Sequence, residues 1–121
     1  MEVAELRLRS DVPVILADHR GYITWINDRF SEAYGWTEAD LVGRPLPTII
    51  PRRFHDAHHS GFSRFLITET AVILGHPLEL VIVTKDGREL VAEHHIVGSL
   101  AGGRWEFAAM ISPVSWIADG R

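Results

Sequence analysis

The sequence of 121 residues contains no cysteine, no excess of basic residues and no long apolar run. Without cysteine there is no disulfide framework, no thiol nucleophile and no thiolate metal site. The 12 basic and 16 acidic residues give a net charge of −4 without charge runs, which argues against a nucleic-acid surface. No apolar stretch approaches the roughly 20 residues needed to cross a bilayer, and the charged first residues do not resemble a signal peptide. We therefore expect no membrane contact in this segment and a cytoplasmic location.

The composition is that of an ordinary globular domain, 46% hydrophobic and 23% charged. No serine lies in a Gly-x-Ser-x-Gly motif and no glycine-rich phosphate loop is present, so we do not expect an enzyme. We expect an N-terminal cap helix at residues 1–9, the main domain at 10–116, and a tail or the start of a linker at 117–121.

Strands and helices are segregated along the chain. Residues 13–17 and 22–26 flank a glycine turn and predict a β-hairpin. Short helices follow, of which the first is capped by Asn27 and ended by Gly35. Three further strands are predicted, at residues 78–84, 90–97 and 104–114. This order predicts an α+β domain in which an antiparallel sheet carries short helices on one face, with room for a small-molecule cavity between the layers.

Residues 51–65 predict a helix with an aromatic stripe. Four side chains recur at helical spacing on one face, namely Phe54, His58, Phe62 and Phe65. Because His58 lies in the middle of this apolar face, we expect its imidazole to point inward.

Two more histidines of this helix, His55 and His59, lie one turn apart. The spacing and the intervening Asp56 are similar to the His-Glu-x-x-His motif of zinc proteases. Nothing in the sequence identifies a third ligand. We interpret the pair as a solvated polar flank, with a catalytic zinc site as the alternative.

Residues 27–45 resemble the first half of a PAS domain, in which an asparagine ends the second strand and a helix leads to a Gly-Tyr-Ser-like stretch. Here Trp36 replaces the usual tyrosine. Residues 85–93 resemble the hairpin between the third and fourth strands of that family. The resemblance covers roughly residues 10–114. It implies a five-stranded antiparallel sheet in the order 2-1-5-4-3, a ligand pocket against the helices, and a sensory or dimerising module.

Within that family, residues 51–65 resemble the proximal helix of haem-binding oxygen sensors. In those proteins a histidine of this helix ligates the iron, and His58 has the matching place. Arg64 matches an arginine that contacts a haem propionate in the oxygen-sensing kinases. The resemblance therefore implies haem b as a candidate cofactor, with His58 as its iron ligand. The alternative is a buried imidazole satisfied by the backbone or by water.

Two positions depart from the oxygen-sensing kinases. Leu78 stands where they have an oxygen-contacting arginine, and Val72 matches a second propionate-contacting histidine. His94 shares strand parity with Ala92 and Ile96, so it faces the expected pocket. If haem binds, His94 is a candidate distal ligand or hydrogen-bond donor.

These comparisons predict one pocket with six site residues. The set is His58, Arg64, His94, Phe62, Ile73 and Ile96. The identity of the cofactor stays open beyond haem b, except that a cysteinyl–flavin adduct is excluded because the chain has no cysteine.

Three functions remain open. The first is a module that binds a small ligand and relays the signal to an output domain, such as a histidine kinase, cyclase or chemoreceptor, in a longer chain. The second is a haem-based gas or redox sensor, and the third is a ligand-free dimerisation module. We expect a homodimer formed through the N-terminal helix and the face of Trp105, Phe107 and Ile111. Core packing of that face is the alternative.

Overall fold

The computed structural model describes residues 1–68 and 77–117, with side chains described outside 63–68. The helices are α1 (Val3–Arg7), α2 (Asp28–Tyr34), α3 (Glu38–Leu41) and α4 (His55–Thr68), with 3-10 turns at Leu46–Ile49 and Arg52–Phe54 between α3 and α4. The strands are β1 (Val14–Ala17), β2 (Ile23–Ile26), β3 (Leu78–Val83), β4 (Glu89–Ala101) and β5 (Arg104–Trp116). Within the described residues no helix is long and apolar enough to span a membrane.

The five strands form one antiparallel sheet in the order β2-β1-β5-β4-β3. This confirms the predicted α+β class and strand order. The longest pairing joins β4 to β5, and a bulge between Val91 and Ala92 interrupts it. The chain thus places its first strand beside its last, with β5 in the centre of the sheet.

Helices α2 and α3 cover one face of the sheet, where Phe30, Tyr34 and Leu41 join the larger core. Helix α1 instead packs on the opposite face, where Val3 and Leu6 belong to a second buried cluster. The N-terminal helix, expected as a cap outside the main domain, thus covers the face of the sheet that α2 and α3 leave open.

The reason for this second cluster lies in β1, whose side chains are buried on both faces. Ile15 points to the larger core, whereas Val14 and Leu16 alternate onto the other face. Without α1 these two apolar side chains would face water.

Asn27 fixes the start of α2 as predicted. Its side-chain oxygen accepts hydrogen bonds from the backbone N–H of Phe30 and of Val14, both at 3.0 Å. Its amide donates to the carbonyl oxygens of Arg9 at 3.2 Å and Val12 at 2.8 Å. One buried side chain thus caps a helix and ties it to the segment before β1.

The turn between β3 and β4 lies within residues 85–93, which resemble the hairpin of the PAS family, and consists of Lys85, Asp86 and Gly87. The backbone N–H of Thr84 donates to Arg88 O at 2.8 Å, and that of Gly87 donates to Thr84 O at 2.9 Å. The Thr84 hydroxyl accepts from Arg88 N at 3.2 Å. This hydroxyl closes a loop of three residues in which only the glycine needs a positive φ, here 86°.

The face predicted as a dimer surface lies largely inside the domain. Phe107 and Ile111 are 8% and 2% exposed. They belong to the central strand and point toward the helices, so the core alternative is correct for both. Trp105 is half-buried and stacks on Phe107 with ring centroids 6.3 Å apart. The homodimer itself stays a prediction.

Candidate functional site

A cavity of about 570 Å³ lies between the sheet and the α4 side of the domain. Its size is within the range of small-molecule sites. The sheet contributes apolar side chains from β1, β3, β4 and β5, including Ile15, Leu80, Ile96, Ala109 and Ile111. The opposite wall comes from the 3-10 turns and α4, including Leu46, Ile49, Ile50, Phe54, Ala57 and Phe62.

Small residues create this space. Ala17 and Ala109 lie on the sheet side, and Ala57 and Gly61 face them from α4. Protein interiors are otherwise packed with few voids larger than a water molecule. None of these four residues was predicted from the sequence, where their small size was the available signal.

Of the described lining residues, none is a lysine or arginine. Glu79 borders the cavity, but strand alternation directs its side chain away from the face shared by Leu80 and Ile82. The polar side chains that remain are the two imidazoles of His58 and His94.

His94 is buried on β4, only 9% exposed, and lines the cavity. Its ring Nδ1 lies 3.0 Å from the carbonyl oxygen of Ala92, to which it donates a hydrogen bond. Burial lowers the pKa of His94, and the bond to Ala92 offsets part of that effect. The imidazole is therefore neutral at pH 7.

His58 lies on α4 and is half-buried at the cavity wall. Burial lowers its pKa, and the neighbouring His59 and His55 lower it further. Its Nδ1 is buried and has no hydrogen-bond partner within the described part of the chain. Such an orphaned polar atom is uncommon in native structures.

Phe62 closes the cavity beside His58. The two rings stack with centroids 6.1 Å apart, and Phe62 meets Phe107 of β5 edge-on at 5.4 Å. A Cβ added to Gly21 would lie 3.3 Å from the Phe62 ring. The hairpin between β1 and β2 thus holds this ring in place.

The other residues named in the sequence analysis differ in where they lie. Ile96 lines the cavity. Ile73 and Val72 lie outside the described residues, as does the side chain of Arg64. Leu78 is the β4-paired neighbour of His94 in the sheet and is half-buried.

The polar flank of α4 carries His55 and His59. His55 Nε2 lies 2.7 Å from the carbonyl oxygen of Ile50, so this ring is engaged at the start of the helix. His59 is exposed. Across residues 1–68 and 77–117, no group of three or more His, Asp or Glu could hold a metal ion. His59 is thus solvated, whereas His55 is half-buried against the backbone.

The family model described as the PAS domain matches residues 11–110. The chain therefore belongs to the PAS domain family, whose members are generally sensory and non-catalytic modules.

An uncharacterised protein of Azorhizobium caulinodans is 35% identical over 103 residues, which cover 84% of this chain and 14% of that protein. The chain thus spans a small part of that relative's length.

Two solved PAS domains share the fold. One, from Colwellia psychrerythraea, has a TM-score of 0.70 at 15% identity. This match covers 85% of the present chain and 86% of the Colwellia chain. The other, from an HTR-like protein of Haloarcula marismortui, has a TM-score of 0.69 at 21% identity. This match covers 88% of the present chain and 84% of the Haloarcula chain.

Proposed function

We propose that this PAS domain is the sensing part of a longer signalling protein and binds a small, mainly apolar molecule between α4 and the sheet. The observation that carries the proposal is the cavity of about 570 Å³ with apolar walls and two neutral imidazoles. Burying an apolar ligand there removes its surface from water, which is the main source of binding free energy.

The cavity is well placed to influence the rest of a signalling protein. Ile111 and Ala109 line it from β5, the central strand. The same strand continues to Trp116, over whose ring the Arg88 guanidinium lies at 3.8 Å. A ligand that shifts the packing of α4 against β5 would change the position of this terminal part of the strand. The small share of the Azorhizobium relative that the chain covers supports an output region elsewhere in a longer chain.

Calorimetric titration with 1-methylindole, a neutral apolar probe, tests ligand binding. We expect saturable binding to the wild-type chain and at least tenfold weaker binding to Ile96→Phe, because the larger ring occupies the cavity. Leu100→Phe is the matched control, since Leu100 is 59% exposed and lies outside the lining. Unchanged affinity in a folded Ile96→Phe variant would contradict the proposal.

Haem b is a second candidate ligand, supported by the two histidines, His58 and His94, that line the cavity. Neutral imidazole is the usual protein ligand of haem iron, and both His58 and His94 are neutral and border the same cavity. These two residues would hold the iron, and haem would supply a centre that responds to a gas or to redox state. Haem titration with an absorption spectrum tests this: a Soret band that is lost in His58→Ala supports haem, and no band in the wild type contradicts it.

A further inference from the structure

Among the cavity residues, His94 is the one whose surroundings determine which ring nitrogen carries the hydrogen. The carbonyl oxygen of Ala92 can only accept a hydrogen bond, so the Nδ1 that contacts it at 3.0 Å carries the ring hydrogen. A neutral imidazole has one ring hydrogen, and Nε2 is therefore left with a free lone pair. Within the described part of the chain, the hydrogen bond of this ring is made through Nδ1, and no group donates to Nε2.

The position of the ring makes this lone pair available to a ligand. Strand alternation puts His94 on the same face as Ala92 and Ile96, and the ring borders the cavity. His95, the next residue, belongs to the opposite face. His58 lacks such a constraint, since its Nδ1 has no described partner that would decide which nitrogen is protonated.

From these contacts we propose that the cavity selects neutral ligands that carry a hydrogen-bond donor, a hydroxyl or ring N–H, on an otherwise apolar body, and that His94 Nε2 is the acceptor. The proposal rests on the proposed function, namely that the cavity binds a small molecule. A ligand without a donor would leave a buried acceptor unpaired, which is unfavourable. A carboxylate would find neither a hydrogen donor at this nitrogen nor a lysine or arginine among the described lining residues.

A thermodynamic cycle with two probes tests the role of His94. Indole has a ring N–H donor, and 1-methylindole lacks it but has nearly the same shape. The affinity ratio of indole to 1-methylindole is measured by calorimetry in the wild type, in His94→Phe, and in the control His95→Phe. Comparing ratios removes the contribution of the extra methyl group.

We expect the ratio to fall by about three- to tenfold in His94→Phe, which corresponds to one neutral hydrogen bond, and to stay within twofold in His95→Phe. An unchanged ratio in His94→Phe, with 1-methylindole still bound, would overturn the donor-selecting role and leave the proposed function standing. Failure of both probes to bind the wild type would overturn both proposals.

A second readout needs no variant and therefore does not depend on the folding of His94→Phe. In the chain labelled with 15N at histidine, we expect the Nε2 signal of His94 to be that of an unprotonated nitrogen at pH 7.5. It should shift on addition of indole and much less on addition of 1-methylindole. A protonated Nε2, or equal shifts with both probes, would overturn the proposal.

Discussion

The hydroxyl of Tyr34 donates a hydrogen bond of 2.6 Å to the carbonyl oxygen of Ile111. This bond joins the end of α2 to the middle of β5, and both residues are at most 2% exposed. Burial also raises the pKa of Tyr34, so the phenol stays protonated and can donate at all physiological pH values. The helix layer is thereby attached to the strand that lines the cavity.

Removing this hydroxyl should destabilise the domain. In Tyr34→Phe the Ile111 carbonyl loses its side-chain donor in a dry environment, which costs about 1–3 kcal/mol. We expect a loss of this size in the free energy of unfolding, measured by urea denaturation. Tyr22→Phe is the matched control because Tyr22 is 40% exposed, and its effect should stay within about 0.5 kcal/mol. Equal effects of the two variants would refute the structural role of Tyr34.

Asn27→Ala should cost more than Thr37→Ala, although both residues cap helices. Each loses a cap, at about 0.5–2 kcal/mol. Asn27 is buried and also bonds Val14, Arg9 and Val12, whereas Thr37 is exposed and caps α3 through Asp40. Urea denaturation of both variants measures the difference; a smaller loss in Asn27→Ala than in Thr37→Ala would contradict the four-bond arrangement.

The cap and end of α2 were predictable because they are local. The types of Asn27 and Gly35 and their spacing determine them, and the observed cap bond and the αL conformation of Gly35 agree. The bond from Tyr34 to Ile111 joins residues 77 positions apart, and no local pattern indicates such a contact. The packing of α1 was not predictable either, because the spacing of its two buried residues does not indicate which face of the sheet they cover.

The site was predictable only in part, because only its local features follow from the sequence pattern. The inward positions of His58, His94 and Ile96 follow from helix and strand periodicity. The size of the cavity does not, because it depends on the distance between α4 and the sheet and on small residues contributed by both. The buried faces of Phe107 and Ile111 show a related limit: alternation identifies one apolar face of β5 but not whether a helix or a second chain covers it.

Gly21→Ala should affect both stability and ligand binding, whereas Gly87→Ala should affect stability alone. Both glycines have positive φ, 81° and 86°, and alanine in this region costs about 1–2 kcal/mol. The added Cβ at Gly21 would also press on the Phe62 ring at 3.3 Å, while at Gly87 nothing lies within 4 Å. We expect calorimetry with 1-methylindole to give altered affinity only in Gly21→Ala; a matching change in Gly87→Ala would argue against Phe62 as the closing ring.

Stability should fall as the pH decreases from 7.5 to 5. His58 and His94 have lowered pKa values in the folded chain, so the unfolded chain binds more protons in this window and acid favours unfolding. Their contribution is fully present above about pH 6.5, the ordinary histidine pKa, and is lost below it. Asp40, held at a pKa of about 2 chiefly by its hydrogen bond from Lys85, contributes to a separate loss below about pH 4.

Urea midpoints at several pH values measure this slope. His94→Phe should flatten the curve between pH 7.5 and 5, because one of the two protonation sites is gone. His95→Phe is the matched control and should leave the curve unchanged, because strand alternation places His95 on the opposite face of β4 from the cavity. A slope that survives in His94→Phe and disappears in His95→Phe would contradict the placement of His94.

The most direct test of ligand binding in the cavity is the location of a bound probe by NMR. Intermolecular NOEs are measured between 1-methylindole and the methyl groups of the labelled chain. A ligand in the cavity should give NOEs to Ile96, Ala109 and Ile111, and none to the exposed Leu8 and Leu100. Saturable binding with NOEs only to exposed methyl groups, or no NOE to these three residues, would contradict it.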